Sequence, residues 1–385
     1  MIFSNLYYSM VTKKSLIIEK VIGTGGFGSV YRSKYGNETV AVKIIKNKDN
    51  GIPFLTELSV MSRTTPKSKY INSAIKTVLR DENIYIIQPI AISDLKSFME
   101  HNYVSLGNKK IGISQITKGL MFLHSNGILH LDIKPGNILV YPEITRGHGQ
   151  KYIWKLSDFG ISKINGYFSP HMVCTSKYRP LDVWLSNKNE HKTPLTPAID
   201  YWSFGCIIHE IIYETPIFES QNKSNKITPK LYQKAILEFN NLIFGDQSKS
   251  FPDMKNITTV YIEENNIKYN PPNIKHIKSK NDPISIVLRE MLNPIPNRRN
   301  IKSLCNYLDL EYIVPTTLNM KDILKNMKYR YSKSGGKKTT TTDLVMEWMC
   351  QKLNDPYTKK PDIALYELLL SERNILSTLN YNILS

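Results

Sequence analysis

Cysteine is scarce and scattered in this chain: there are four (Cys174, Cys206, Cys305 and Cys350), and no two form a Cys-x-x-Cys pair. That spacing argues against a zinc site or a disulfide framework and fits a reducing compartment. Long apolar runs are also missing, and none approaches the roughly 20 residues of a membrane-spanning helix. Met1 to Lys20 mixes Ser, Asn, Tyr and Lys among its apolar positions and lacks the continuous apolar core of a signal peptide. A soluble, intracellular protein of cytoplasm or nucleus is therefore expected, with no membrane partner. Acidic residues are the third shortage. Asp and Glu number 33 against 51 Lys and Arg, a formal charge of +18. Such an excess can serve an acidic partner such as nucleic acid. The basic residues are spread along the chain, however, with one dense cluster from Lys325 to Lys338 and no nucleic-acid-reading motif. A solvated, lysine-rich surface is the plainer reading. No internal repeats are present.

At 385 residues and 41% hydrophobic content, the chain can build two or three units with true cores. Residues from about 12 to 90 read mostly as strands. Leu16-Ile17-Ile18 leads into a glycine-rich stretch, and Val30-Tyr31 runs outward to a turn at Tyr35-Gly36-Asn37-Glu38. Val40-Ala41-Val42-Lys43-Ile44-Ile45 then returns, as a hairpin. Pro53 to Met61 reads as a short helix with Pro in its first turn, and Ile84-Tyr85-Ile86-Ile87 as a buried strand ending near Pro89. Beyond this the period becomes helical: Ile113, Ile116, Leu120 and Leu123 share one face, and a second buried helix runs from Tyr201 to Ile212. Ser332 to Thr342 has the composition of a flexible linker, and Asp343 to Ser385 regains helical spacing.

Four short stretches carry chemistry. They are Gly23-Thr24-Gly25-Gly26-Phe27-Gly28-Ser29-Val30, Val40-Ala41-Val42-Lys43, His130-Leu131-Asp132-Ile133-Lys134-Pro135-Gly136-Asn137 and Ser157-Asp158-Phe159-Gly160. Phosphoryl transfer demands little covalent work from a protein. It needs a hydroxyl positioned in line and negative charge neutralised by Mg²⁺ and cations. A carboxylate with a lysine and an asparagine close behind it, followed by a separate Asp-Phe-Gly, supplies those groups. Glycines allow a backbone to close over phosphates. Here they lie between two strands, whereas dinucleotide-binding loops lie between a strand and a helix.

In this order the four stretches resemble the protein kinase superfamily, of the serine/threonine type. Val173 to Pro180, Gly51-Ile52-Pro53, Asp94 to Met99 and Thr196 to Cys206 resemble its cyclin-dependent-kinase-like branch. The resemblance covers residues 12–313 and implies an α+β, bilobal protein kinase fold. A small β-rich N-lobe (12–88), a hinge (89–92) and a larger helical C-lobe (93–313) would precede a basic linker (314–342) and a helical C-terminal extension (343–385). It implies ATP and Mg²⁺ as cofactors and protein serine or threonine hydroxyls as acceptors. Asp132 would be the base, Lys134 would stabilise the transferring group, and Thr175 would bridge the two. Asn137 and Asp158 would hold Mg²⁺. Ile22, Gly23, Gly25, Gly28, Val30, Ala41 and Ala91 would surround the nucleotide, with Val30 against the adenine. Lys43 would hold the α- and β-phosphates and pair with a helix glutamate. Glu57 is the candidate for that partner, since Glu38 and Glu82 have no helix context.

Several positions depart from the family pattern. Leu131 stands where most members carry an arginine that receives an activation-loop phosphate, so control by phosphate on Ser169 or Thr175 is not expected. Pro180-Leu181-Asp182 replaces Ala-Pro-Glu, and Asp182 is expected to pair with Arg299. Asp200 resembles the buried aspartate that braces the catalytic loop. A cyclin-like activator is a candidate partner. Within the tail, Glu372 to Ile383 is similar to one helix of a cyclin box, although an amphipathic tail docking on its own lobe is the plainer reading. Two other readings stay open: a pseudokinase scaffold that binds partners without turnover, and a basic nucleic-acid-binding protein.

Overall fold

The structure is a computed structural model that describes residues 6–8, 15–25, 28–46, 60, 68–80, 83–143, 151–165, 173–186, 195–218, 229–245, 272, 274, 277, 279 and 281–317. The described residues form two compact units. One takes those within 1–98 and 139–164 together with residue 317, and the other those within 99–138 and 165–316.

Alternation of side chains builds the first unit. Its sheet holds β1 (Leu6–Tyr8), β2 (Ser15–Gly25), β3 (Gly28–Tyr35), β4 (Glu38–Lys46), β5 (Lys76–Arg80) and β6 (Asn83–Pro89), in the spatial order β1-β2-β3-β4-β6-β5. All neighbouring pairs are antiparallel. Val40 and Val42 project to one face of β4, where they pack with Leu16, Tyr35, Tyr85 and Ile87. Ala41 and Lys43 therefore project to the other face. Register completes that second face, because directly opposed residues share a side of the sheet. Val30 and Ile86 lie opposite Lys43 on its two neighbouring strands, and Arg32 and Gln88 lie opposite Ala41. The expected hairpin turn at residues 35–38 is present, with Tyr35 opposite Glu38. The expected buried strand is β6. Of the expected helix from Pro53 to Met61, only Val60 is described, and it is helical. The strands Ile138–Glu143 and Lys151–Leu156 complete the unit, with Ser93–Asp94 paired to the first of them.

Helices dominate the second unit. Ser105 caps the helix Leu106–Ser125 by accepting from Asn108 N at 3.3 Å. Ile113, Ile116, Leu120 and Leu123 are all buried on it, as their spacing predicts. Burying one such side chain stabilises by about 1.5–3 kcal/mol. The helix Pro197–Tyr213 begins with Pro, whose missing N–H costs nothing in a first turn, and is buried almost all round. Its Gly205 marks the approach of the helix Pro283–Met291. A Cβ there would lie 3.0 Å from both Met291 Cβ and Leu292 Cδ2.

The strand-rich beginning and helical continuation expected from the sequence are thus both found. Among the described residues the cysteines Cys174, Cys206 and Cys305 are free and buried, and no helix is long and apolar enough to cross a membrane. Cys350, the linker beyond 317 and the tail 343–385 lie outside the described residues.

Candidate active site

Each unit gathers one set of the expected residues. In the first unit the glycine stretch closes the β2–β3 hairpin, with Gly25 opposite Gly28 and Gly23 opposite Val30. Gly28 has φ +147°, and a Cβ on it would sit 2.4 Å from the Ile44 carbonyl oxygen. Only glycine meets both conditions. Gly23 is under no such constraint, since its Cβ would meet nothing nearer than Val30 at 3.9 Å. Gly26 and Phe27 lie outside the described residues.

On the second face of the sheet, Val30 and Ala41 surround Lys43, which is 8% exposed. A lysine stem buried this far needs a counter-charge for its ammonium. Asp158 Oδ1 accepts from Lys43 Nζ at 2.9 Å. The carboxylate is delivered by the strand Lys151–Leu156, which is tied to residues 70–72. Asn72 N donates to Leu156 O at 2.7 Å, and Leu156 N to Tyr70 O at 2.9 Å. Asp158 itself has φ +61°, and Phe159 beyond it is fully buried. Ile22 is 47% exposed at the edge of the sheet, and Ala91 is half-buried. Glu57 lies outside the described residues. The Lys43–Asp158 pair was not anticipated from the sequence. Gln88 was also missed: it is buried on the same face, opposite Ala41. The alternation of Ile84 to Gln88 against Val40 to Lys43 was the signal that would have found it.

In the second unit the loop after Leu129 converges on Asp132. Lys134 Nζ donates to Asp132 Oδ2 at 2.7 Å, and Asn137 Nδ2 donates to the same oxygen and to the Asp132 carbonyl, both at 2.9 Å. Thr175 donates to Asp132 Oδ1 twice, from Oγ1 at 2.7 Å and from N at 3.0 Å. Its Oγ1 also accepts from Lys134 Nζ at 3.1 Å. Burial by itself pushes the Asp132 carboxyl up. Hydrogen bonds from Lys134 and Thr175, with the charges of Lys134 and His130, outweigh it and hold the group below its ordinary value.

The backbone of this loop hangs from Asp200, which is fully buried. Its carboxylate accepts from His130 N and Leu131 N at 2.8 Å each and lies 2.9 Å from His124 Nε2. Leu131 is held there at φ +65°. The 3₁₀ turn Pro135–Asn137 then returns Asn137 toward Asp132. On the far side of Thr175, Arg179 donates to Val173 O at 2.8 Å and Cys174 O at 2.6 Å and stacks 4.1 Å over Trp184. The expected pairing of Asp182 is present, with Arg299 Nη2 donating to its Oδ1 at 2.6 Å.

These donor sets suit the expected cofactors. Mg²⁺ takes one or two carboxylate oxygens and completes its shell with water and phosphate oxygens. The described residues contain no cluster of three or more His, Cys, Asp or Glu that would claim an ion for protein ligands alone. Asp158, beside a lysine, presents the hard oxygen donor such an ion prefers.

Residues 16–313 match the family model described as protein kinase domain. A probable cyclin-dependent serine/threonine-protein kinase of Dictyostelium discoideum is 28% identical over 309 residues, 76% of this chain and 20% of that protein. The probable cyclin-dependent kinase 8 of the same organism is 28% identical over 273 residues, covering 65% of this chain and 68% of the relative. Cyclin-dependent kinase G1 of Arabidopsis thaliana is 30% identical over 252 residues, 61% and 38% of the two chains. The chain thus spans about a fifth of the first relative, two thirds of the second and under two fifths of the third.

Proposed function

The chain belongs to the protein kinase domain family, and we propose from that premise that it transfers the γ-phosphoryl group of ATP to serine and threonine hydroxyls of protein substrates. The observation that carries the reading is the Asp132–Lys134–Thr175 triangle. A carboxylate kept ionised by a lysine and a threonine can orient an incoming hydroxyl and accept its proton as the oxygen attacks.

Mg²⁺-ATP, when bound, supplies the transferable group and neutralises its developing charge. Asn137 and Asp158 are the residues we assign to the ion. Lys43 orients the phosphates, with Asp158 as its counter-charge. Ile22, Gly23, Gly25, Gly28, Val30, Ala41 and Ala91 are assigned to the nucleotide, and Glu57 remains the proposed helix partner of Lys43. Lys134 balances the charge that gathers between Asp132 and the transferring group. The kinase domain is taken as residues 12–313, with a basic linker to 342 and a helical tail to 385. A cyclin-like activator accords with the names of the relatives.

The test is transfer of radiolabel from γ-labelled ATP to a generic basic protein, followed by phosphoamino-acid analysis. Phosphoserine and phosphothreonine are expected, and Asp158→Asn, which keeps the side-chain volume, should abolish both. Phosphotyrosine as the main product, or full turnover by Asp158→Asn, would refute the assignment. ATP binding without transfer by the wild-type chain, alone and with a cyclin-like partner added, would establish the scaffold instead.

A further inference from the structure

Away from the residues assigned to chemistry, the first unit buries a phenol that reaches two separate segments. Tyr141, on the strand Ile138–Glu143, is 6% exposed. Its hydroxyl donates in a three-centre bond, chiefly to Asn72 Oδ1 at 2.8 Å and more weakly to the Pro89 carbonyl oxygen at 3.3 Å. Burial pushes the phenol well above its ordinary value, so it stays a donor throughout the neutral range. The Lys155 ammonium lies 4.7 Å from the ring centroid and fixes the ring from one side.

Both segments matter to the reading above. Asn72 donates its N–H to Leu156 O at 2.7 Å, on the strand that delivers Asp158. Pro89 ends β6 and opens the segment 89–92, to which Ala91 belongs. The same strand holds that segment at its other end, where Ile92 N donates to Val140 O at 2.8 Å. Adjacent residues of one strand, Val140 and Tyr141, therefore grip both ends of 89–92. Packing alone does not call for this arrangement, because phenylalanine would fill the same volume. The hydroxyl adds the tie, and it joins Asn72 to Pro89 across three stretches that are distant in sequence.

We propose that Tyr141 is a positioning residue for the nucleotide: its hydroxyl locks the 89–92 segment to the strand that carries Asp158. This rests on the phosphoryl-transfer reading for what the segment binds, and on the structure alone for the lock. Tyr141 touches no reacting atom. It acts by fixing where the 89–92 segment lies relative to Asp158 of the same unit.

The experiment uses the full chain with Tyr141→Phe, Asn72→Ala and the double variant. The readouts are ATP dissociation constant, steady-state kinetics and amide hydrogen exchange over residues 89–92. Loss of one neutral hydrogen bond predicts a rise in Kd and KM for ATP of about threefold to tenfold. The kcat and the KM for protein substrate should stay within about twofold, and exchange at Ile92 should quicken. The two single variants should share one defect, so the double variant is no worse than the more affected single. Unchanged Kd with unchanged exchange at Ile92 would overturn the proposal. So would additive effects, or a fall in kcat that follows the melting temperature. If the wild-type chain transfers no phosphate, the kinase reading fails, while Kd and hydrogen exchange still decide the role of Tyr141.

Discussion

Removing the carboxylate of Asp182 is the sharpest test of how the second unit is held together. The Arg299 side chain is 0% exposed and that of Asp182 9%, with the charged atoms 2.6 Å apart. Arg299 also donates to Asn293 O and Pro294 O and lies 4.9 Å over the Trp202 ring. In Asp182→Ala those carbonyl bonds hold the guanidinium in place, so its charge stays buried and loses its counter-ion. Breaking a buried pair from one side costs about 3–5 kcal/mol. Water screens neither partner, so the surface discount does not apply. Against a typical domain stability of about 5–15 kcal/mol, the loss is about a fifth or more. At a urea slope of roughly 2 kcal/mol/M, the midpoint falls by roughly 2 M. Asp182→Asn keeps an acceptor at nearly the same place and loses only the charge, so its cost should be smaller. Asp182→Ala combined with Arg299→Met removes the stranded charge but leaves the Asn293 and Pro294 carbonyls without their donor. It should cost less than the sum of its singles by at least about 1 kcal/mol. Urea unfolding followed by tryptophan emission reads all of this, because Trp202 lies under the guanidinium. An Asp182→Ala midpoint within error of wild type, or an additive cycle, would refute the reasoning.

Lys134→Met should move the acid limb of the rate profile to higher pH, since it removes an influence that lowers the Asp132 carboxyl and leaves burial, which raises it; an unmoved limb would show that Lys134 does not set that group. In wild type, folding lowers the Asp132 value, so the stability it lends is complete above the unfolded value of about 3.9 and fades as pH falls through the lower folded value. Gly28→Ala forces a side chain onto φ +147° and against the Ile44 carbonyl, a strain of about 1–3 kcal/mol. ATP affinity measured by calorimetry should fall by about tenfold or more, and wild-type affinity would show that the hairpin can give way. Leu131 is fully buried and offers no guanidinium to a loop phosphate, so phosphatase-treated enzyme should keep its initial rate. A large drop, restored by rephosphorylating the loop, would contradict this.

What the sequence made legible was local or carried by the family resemblance. The resemblance singled out Lys43 behind Val40-Ala41-Val42, and the helical period of Ile113, Ile116, Leu120 and Leu123 marked a buried face. Asp182 and Arg299 were matched across more than a hundred residues through the family resemblance, in which Pro180-Leu181-Asp182 replaces Ala-Pro-Glu. The Lys43–Asp158 contact was not legible, since it depends on where the strand Lys151–Leu156 is pinned, and residues 70–72 do that by backbone bonds that carry no side-chain signature. Tyr141 escaped for a related reason. A tyrosine in a strand reads as core, and only the packed structure reveals that its hydroxyl meets Asn72 and Pro89. Gln88 belongs to no motif, and only strand register sets it opposite Ala41.

Backbone strain supplies an argument that no motif contains. Leu131, Asp158, Cys174, Glu214 and Asp309 are the described non-glycine residues with positive φ. Each such residue costs about 1–2 kcal/mol relative to ordinary backbone. Glu214 sits at the left-handed cap of the helix Pro197–Tyr213, where such a conformation is common. Three of the others are Asp158 itself, the residue before Asp132 and the residue before Thr175. Each is held by a specific polar contact. Asp200 takes the Leu131 N–H, Lys43 takes the Asp158 carboxylate, and Arg179 takes the Cys174 carbonyl. Strain that persists only because neighbours over-determine it points to a constraint other than stability. Positive φ at 131, 158 and 174 falls beside Asp132, at Asp158 itself and beside Thr175, within each unit separately.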